Sequence, residues 1–291
     1  MAPAADSFIP FNLPPNSPLP DDMSRFSIYA PPNTDLWRKP PQRETSTAPL
    51  LCTRLRRPFV AAEVTVLADW ELEWDQGGLV IFTGHPPGRN SSAVEPAVSA
   101  EQSSPDSESV PSPSEPRSSD LAGTAQTLEA PPPYPQSQTS CKWVKAGLEF
   151  SNNIPHASSV CATSEGADWA LSPLSRLPNG AEATELRIKL ERIGYALTVW
   201  FFDPAADAWP AYREPHLPPG QPPSSEQQLP TGCWKKLREV TWFFWDIDDK
   251  NVRVGVYAGR PANIFRNRWR DGDGDREQGG LLVEFEDLEI F

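Results

Sequence analysis

The chain has 291 residues, 35 of them proline and 17 glycine, and a formal net charge of −13. That much proline argues against long helices, because proline breaks a helix interior. The acidic balance argues against a nucleic-acid binder, which needs a basic footprint for the phosphate backbone.

Seven acids and two arginines between His85 and Ser140 account for −5 of the charge, so the rest of the chain is acidic as well. No run approaches the roughly 18 apolar residues of a membrane span. The opening residues lack the basic flank and apolar core of a secretory signal. Cys52, Cys141, Cys161 and Cys233 are scattered, with no Cys-x-x-Cys pair and no histidine at zinc-ligand spacing. The expectation is a cytoplasmic protein with reduced thiols, no membrane or nucleic-acid partner, and no cofactor.

In chain order, residues 1–22 are Pro-rich and read as a flexible tail, leaving a single domain over 23–291. Strands are expected at 26–30, within 50–68 (clearest in the alternation of Glu63-Val64-Thr65-Val66-Leu67), and at 76–82. A Ser/Pro/Glu-rich tract at about 86–139 has too few large apolar residues to offset the entropy of ordering it. It reads as a disordered insertion in a hairpin whose second strand is 143–150. Further strands are expected at 156–163, at 185–192 and 195–202 with a tight turn at Gly194, and at 236–245, 252–258 and 281–290. A Pro-rich loop covers about 204–231.

A period of two assigns faces. Leu186, Ile188 and Leu190 oppose Arg187, Lys189 and Glu191. Val252, Val254 and Val256 oppose Arg253, Gly255 and Tyr257. Val144, Ala146, Leu148 and Phe150 oppose Trp143, Lys145, Gly147 and Glu149. Strands with one apolar face and no helical period predict an all-β fold, an antiparallel two-sheet sandwich. Trp242 is expected in the core, and Trp200 and Trp245 on the opposite register.

Four segments, Thr34-Asp35-Leu36-Trp37, Asp75-Gln76-Gly77-Gly78-Leu79, Trp143-Val144-Lys145-Ala146-Gly147-Leu148-Glu149 and Ala167-Asp168-Trp169, carry a resemblance. With them the chain resembles the regulation-of-enolase-type proteins from about residue 24 to its end. The resemblance implies a concanavalin A-like jelly roll. Where that family usually shows Ser-Asp-Trp-Ser, this chain has Ala167 and Ala170, so those hydroxyls are missing. Jelly rolls host lectins, glycanases and plain binding modules, so the fold leaves function open.

The candidate ligand-binding residues are Gln76, Trp143, Lys145, Glu149 and Tyr257 on the polar face, with Asp168 and Trp169 from a nearby loop. Aromatic rings flanked by hydrogen-bonding groups suit a sugar, whose C–H face stacks on a ring while its hydroxyls meet Glu, Lys or Gln. Gly147 would leave the middle of the row open. The plain alternative is an ordinary Lys145–Glu149 charge pair on a wet sheet face.

No catalytic constellation emerges. Jelly-roll glycanases call for Glu-x-Asp-x-Glu, whereas Glu284-Phe285-Glu286 is followed by Leu288 at the third acid. Three histidines, two in Pro-rich stretches, make a histidine triad improbable. Asp271-Gly272-Asp273-Gly274-Asp275 opens like a calcium loop, but Arg276 and Leu282 stand where that loop needs Gly and Glu. The functional expectation is a non-enzymatic module binding a carbohydrate or carbohydrate-like small molecule. The alternatives are a module docking a protein partner such as a metabolic enzyme, and a glycan-acting hydrolase with an unrecognised carboxylate pair.

Overall fold

The structure is a computed structural model that describes residues 3–15, 17–40, 43–87, 141–177, 180–204, 233–262 and 279–291. In chain order the strands are β1 (Phe8–Phe11), β2 (Arg25–Ala30), β3 (Leu36–Lys39), β4 (Arg43–Ser46), β5 (Leu50–Arg54), β6 (Ala61–Ala68), β7 (Gln76–Thr83) and β8 (Lys142–Ser151). They continue as β9 (Ile154–Thr163), β10 (Gly166–Pro173), β11 (Glu185–Ile193), β12 (Ala196–Asp203), β13 (Cys233–Val240), β14 (Val252–Gly259) and β15 (Leu281–Ile290). Among the described residues, helix is confined to two three-residue 3₁₀ turns, and no helix is long and apolar enough to cross a membrane.

A seven-stranded sheet runs β1-β5-β14-β7-β8-β9-β10, and a six-stranded sheet runs β13-β12-β11-β6-β15-β2. Every pairing of named strands in the two sheets is antiparallel. This is the antiparallel two-sheet sandwich read from the alternation, and the jelly roll that the resemblance implies. Its core forms where the predicted apolar faces meet. Val64, Val66, Ile188 and Leu190 of one sheet pack with Leu79, Ile81, Val144, Leu148, Val254 and Val256 of the other, all buried. Flanking the long tract, Thr83 and Lys142 are opposed in the β7–β8 ladder. Apart from Pro86 and Pro87, that tract lies outside the described residues, as do nearly all of the 204–231 loop and the 271–275 acidic run.

Four sequence expectations need correction. The 1–22 tail is not loose throughout: β1 pairs with β5, and Phe8 is buried in the core. Pro10 is tolerated there because β1 is an edge strand. Residues 236–245 do not form one strand. β13 ends at Val240 and the chain turns, so Phe243 and Phe244 enter the core while Trp242 and Trp245 are exposed at its surface. Asp168 and Trp169 lie on strand β10, paired with Cys161 and Val160, rather than on a loop.

The fourth correction concerns the outer face of the seven-stranded sheet, where Trp143 and Tyr257 were expected to face a ligand. The β3–β4 hairpin stands against it, and Leu36, Leu50, Val80, Phe82, Trp143, Val160 and Tyr257 form a second buried cluster. Arg38 secures the hairpin. Its guanidinium donates to the carbonyls of Cys141 at 2.9 Å and Thr163 at 2.8 Å, and to Glu44 Oε1 at 2.6 Å.

Candidate ligand-binding site

Between the hairpin and the edge of that sheet is a cavity of about 310 Å³, lined by Asp35, Trp37, Lys39, Trp74, Gln76, Lys145, Glu149, Val160, Trp169 and Pro261. Strand register explains why the polar members converge. In β8, Lys145 and Glu149 alternate with core-facing Val144, Ala146 and Leu148, and Gln76 of β7 stands directly opposite Glu149. Opposed residues of an antiparallel pair share a face. Trp169 of β10 stands opposite Val160 of β9, itself opposite Lys145, which brings all of them to one side.

The floor is buried yet strongly polar: Gln76, Lys145 and Glu149 are 3%, 2% and 4% exposed. Lys145 Nζ donates to Gln76 Oε1 at 2.7 Å and to Asp35 Oδ1 at 3.1 Å. Gln76 Nε2 donates to the same Asp35 oxygen at 3.3 Å. Glu149 Oε2 accepts from Ser158 Oγ at 2.6 Å and from Trp169 Nε1 at 3.2 Å. Lys145 and Glu149 are therefore not a simple pair on a wet strand, since each has its own partners.

Burial pushes the Glu149 carboxyl above the usual carboxylate range, although Ser158, Lys145 and Trp169 each pull it down. Tyr257 is pushed well up, first by burial and then by the charges of Glu149 and Asp35.

The walls are tryptophans. Trp37 and Trp169 meet nearly at right angles, 89° between planes, with centroids 6.3 Å apart. Trp74 is 46% exposed and has a φ of 69°, which is rare for a bulky side chain. Its N–H donates to Phe150 O at 2.7 Å. The next residue, Asp75, is fully buried and accepts a two-pronged pair from Arg260, Nε at 2.8 Å and Nη2 at 2.7 Å. That pair ties the Trp74 turn to the chain just before Pro261.

Of the seven residues expected at the site, Gln76, Lys145, Glu149 and Trp169 line the cavity. Tyr257 lies behind it, buried, with its ring 5.6 Å from Lys145 Nζ. Trp143 does not contribute a stacking surface. It is fully enclosed under the hairpin, donating its indole N–H to Glu44 Oε1 at 2.9 Å. Asp168 projects away from Trp169, as neighbours on a strand must. It pairs with Arg238 at 2.8 Å and lines a separate cleft of about 480 Å³ beside Cys161 and Thr163. Gly147 also has a different reason from the one expected. A Cβ there would fall 1.9 Å from Gly77 O, so glycine permits the close approach of β7 rather than opening room for a ligand.

Sequence reasoning missed Asp35, Trp37 and Trp74. The first two lie in the Thr34–Trp37 segment and Trp74 precedes Asp75, so the signal was the convergence of the four resemblance segments. Thr34 Oγ1 accepts from the Arg260 N–H at 3.1 Å, Asp35 holds Lys145 and Trp37 is a wall. All four segments meet around this one face.

The protein is thus an all-β jelly-roll sandwich with a cavity of aromatic walls and a polar floor on one face. The chain belongs to the family described as "Protein of unknown function (DUF1349)", whose model matches residues 12–291. It is 27% identical over 242 residues to uncharacterized protein AN7484 of Emericella nidulans, covering 82% of this chain and 79% of that one. Among solved structures it is similar to a functionally unknown protein from Saccharomyces cerevisiae, with a TM-score of 0.53 and 16% identity over 99% of this chain and 98% of that chain. A looser likeness, TM-score 0.41 at 9% identity, is to LamAcat from Zobellia galactanivorans, over 100% of this chain and 92% of that chain.

Proposed function

We propose that the cavity binds a carbohydrate or carbohydrate-like small molecule without transforming it. The observation that carries this is the meeting of three tryptophan rings with the Lys145–Asp35–Gln76–Glu149 floor in a space of about 310 Å³, at the lower end of the range for small-molecule sites. Lys145 has three N–H bonds and two accounted partners, and Gln76 has an N–H to spare, so both can donate to hydroxyls. Asp35 Oδ2 and Glu149 Oε1 can accept from them. A role in regulating carbohydrate metabolism, as implied by the resemblance to regulation-of-enolase-type proteins, would act through such a pocket.

The test is a glycan array read alongside tryptophan-fluorescence titration of the full chain. A sugar that quenches the native protein should bind at least tenfold more weakly to Trp169→Ala, with the fold unchanged by circular dichroism. Full binding by that variant would refute the site.

A glycan-acting hydrolase is the second reading, favoured by one observation: Asp35 and Glu149 are two carboxylates on the same cavity. Release of new reducing ends from the bound glycan, abolished by Glu149→Gln, would establish it over simple binding.

A further inference from the structure

The charges lining the cavity match in number, Asp35 and Glu149 against Lys39 and Lys145, but they are not paired in place. Two carboxylates, Asp35 and Glu149, face one buried ammonium, Lys145, whose donors go to Asp35 and Gln76. Glu149 is held by Ser158 and Trp169, both neutral donors. Both of these bonds go to Oε2, none reaches its second oxygen, Oε1, among the described residues, and Glu149 lines the cavity. The other charged groups nearby are committed elsewhere or exposed. Lys39 is exposed at the rim. Arg260, beside Pro261, is spent on Asp75. His156, opposite Glu149 in the ladder, has its Nδ1 3.0 Å from Ile154 O.

A carboxylate 4% exposed and without a dedicated counter-ion is costly, because burial strips its water and neutral donors return only part of that energy. Hydroxyl donors on a ligand would relieve the cost in part, and a positive charge would relieve it more. The walls favour the same ligand. Trp37, Trp74 and Trp169 present the electron-rich ring faces that attract a desolvated cation, and the perpendicular setting of Trp37 and Trp169 lets a bound group meet two rings at once.

From the unmatched carboxylate and the tryptophan walls we infer that the cavity selects a ligand carrying a protonated amine, which within the carbohydrate reading above is an amino sugar. The amine nitrogen sits against Glu149 Oε1 and donates to it, the pyranose C–H face lies on a tryptophan ring, and ring hydroxyls take the spare donors of Lys145 and Gln76. A sugar acid is disfavoured at this point, since its carboxylate would meet that of Glu149. An N-acetylated sugar keeps the shape and loses the charge.

Calorimetric titration of the full chain at pH 7 would compare fully deacetylated glucosamine oligosaccharides, their N-acetylated counterparts, neutral glucose oligosaccharides, and tetramethylammonium as a permanent cation without a sugar. The deacetylated oligosaccharides should bind at least tenfold more tightly than either of the other two series. Glu149→Gln should abolish that preference, so that deacetylated and N-acetylated oligosaccharides bind it equally. Asp35→Asn, which frees Lys145 to neutralise Glu149, should abolish it as well, and thermal melts would confirm that both variants fold. Equal affinity for charged and neutral sugars, or a preference that persists in both variants, overturns the inference and leaves carbohydrate binding standing. Binding of tetramethylammonium with no sugar bound supports the cation selectivity and overturns the carbohydrate reading. No response to any of the four probes overturns both.

Discussion

The outer faces of the two sheets start from the same alternation and end differently. On the six-stranded sheet most charged residues of the outer face reach solvent, although Thr198 of β12 is buried. Arg25 pairs with Glu284 and Glu286, Arg187 with Glu63, and Lys189 lies over the rings of Trp200 and Trp234. On the seven-stranded sheet the equivalent positions are closed over, so Trp143 and Tyr257 are core residues and Gln76, Lys145 and Glu149 are nine-tenths buried or more. The difference lies in one short hairpin. Where β3–β4 covers the sheet, each polar group needs a partner from the protein, and where the cover stops, a cavity remains with valences to spare. A ligand site here is a polar face that has been covered incompletely.

The largest expected effect is at a fully buried ion pair beside the cavity. Asp75 is fully buried and also accepts the N–H groups of Glu71 at 3.1 Å and Leu72 at 2.9 Å. Asp75→Ala leaves Arg260 buried without its counter-charge, a loss expected to cost about 3–5 kcal/mol. Urea unfolding should show the midpoint shift with little change in m. A loss below about 1 kcal/mol would mean the pair behaves like a surface ion pair, and the contrast between buried and exposed pairs would fail.

A smaller effect of opposite sign is expected at Glu149. Its folded-state pKa is raised, chiefly by burial. As pH rises through the ordinary carboxylate range, the unfolded chain releases this proton before the folded protein does. Stability therefore falls as pH climbs from the usual carboxylate value through the raised folded one, and stays lower above it. Glu149→Gln removes this component, since its amide oxygen can still accept from Ser158 and Trp169. Relative to the native protein, the variant should gain stability from pH 4 to pH 8 in paired thermal melts. A constant offset between the two curves would show that the carboxyl is not destabilised by burial.

Much of the fold was legible in the sequence because burial on one face leaves a period-two trace, clear at residues 186–191 and 252–257. The row Lys145, Gly147, Glu149 was legible for the same reason. Covering is not written in local alternation: nothing in Trp143 or Tyr257 tells whether solvent or the β3–β4 hairpin meets the ring. Asp35 and Trp37 were missed as site residues because the strand after Asp35 is only four residues long and its role depends on contacts more than a hundred positions away, such as Lys145 with Asp35. Trp242 was misplaced because a turn after Val240 resets the register, and the apolar run Val240-Thr241-Trp242-Phe243-Phe244 gives no sign of it.

The smallest expected effect lies on the open face. The Arg25 side chain is 71% exposed, and its partners Glu284 and Glu286 are 40% and 35% exposed. Water screens both members of each pair, and holding three long side chains in register costs entropy, so such pairs are worth about 0–1 kcal/mol. Arg25→Ala should accordingly shift stability by no more than about 0.5 kcal/mol, and raising the salt concentration should shrink even that. Arg38 is the matching cation on the covered side, 4% exposed, with its charge on Glu44 and Nη1 on the carbonyls of Cys141 and Thr163. Arg38→Ala strands buried acceptors and loosens the hairpin that walls the cavity, so its loss should reach several times that of Arg25→Ala and resist salt. Equal losses for the two arginines would mean that the hairpin does not close this face, and the enclosed floor on which the ligand site depends would go with it.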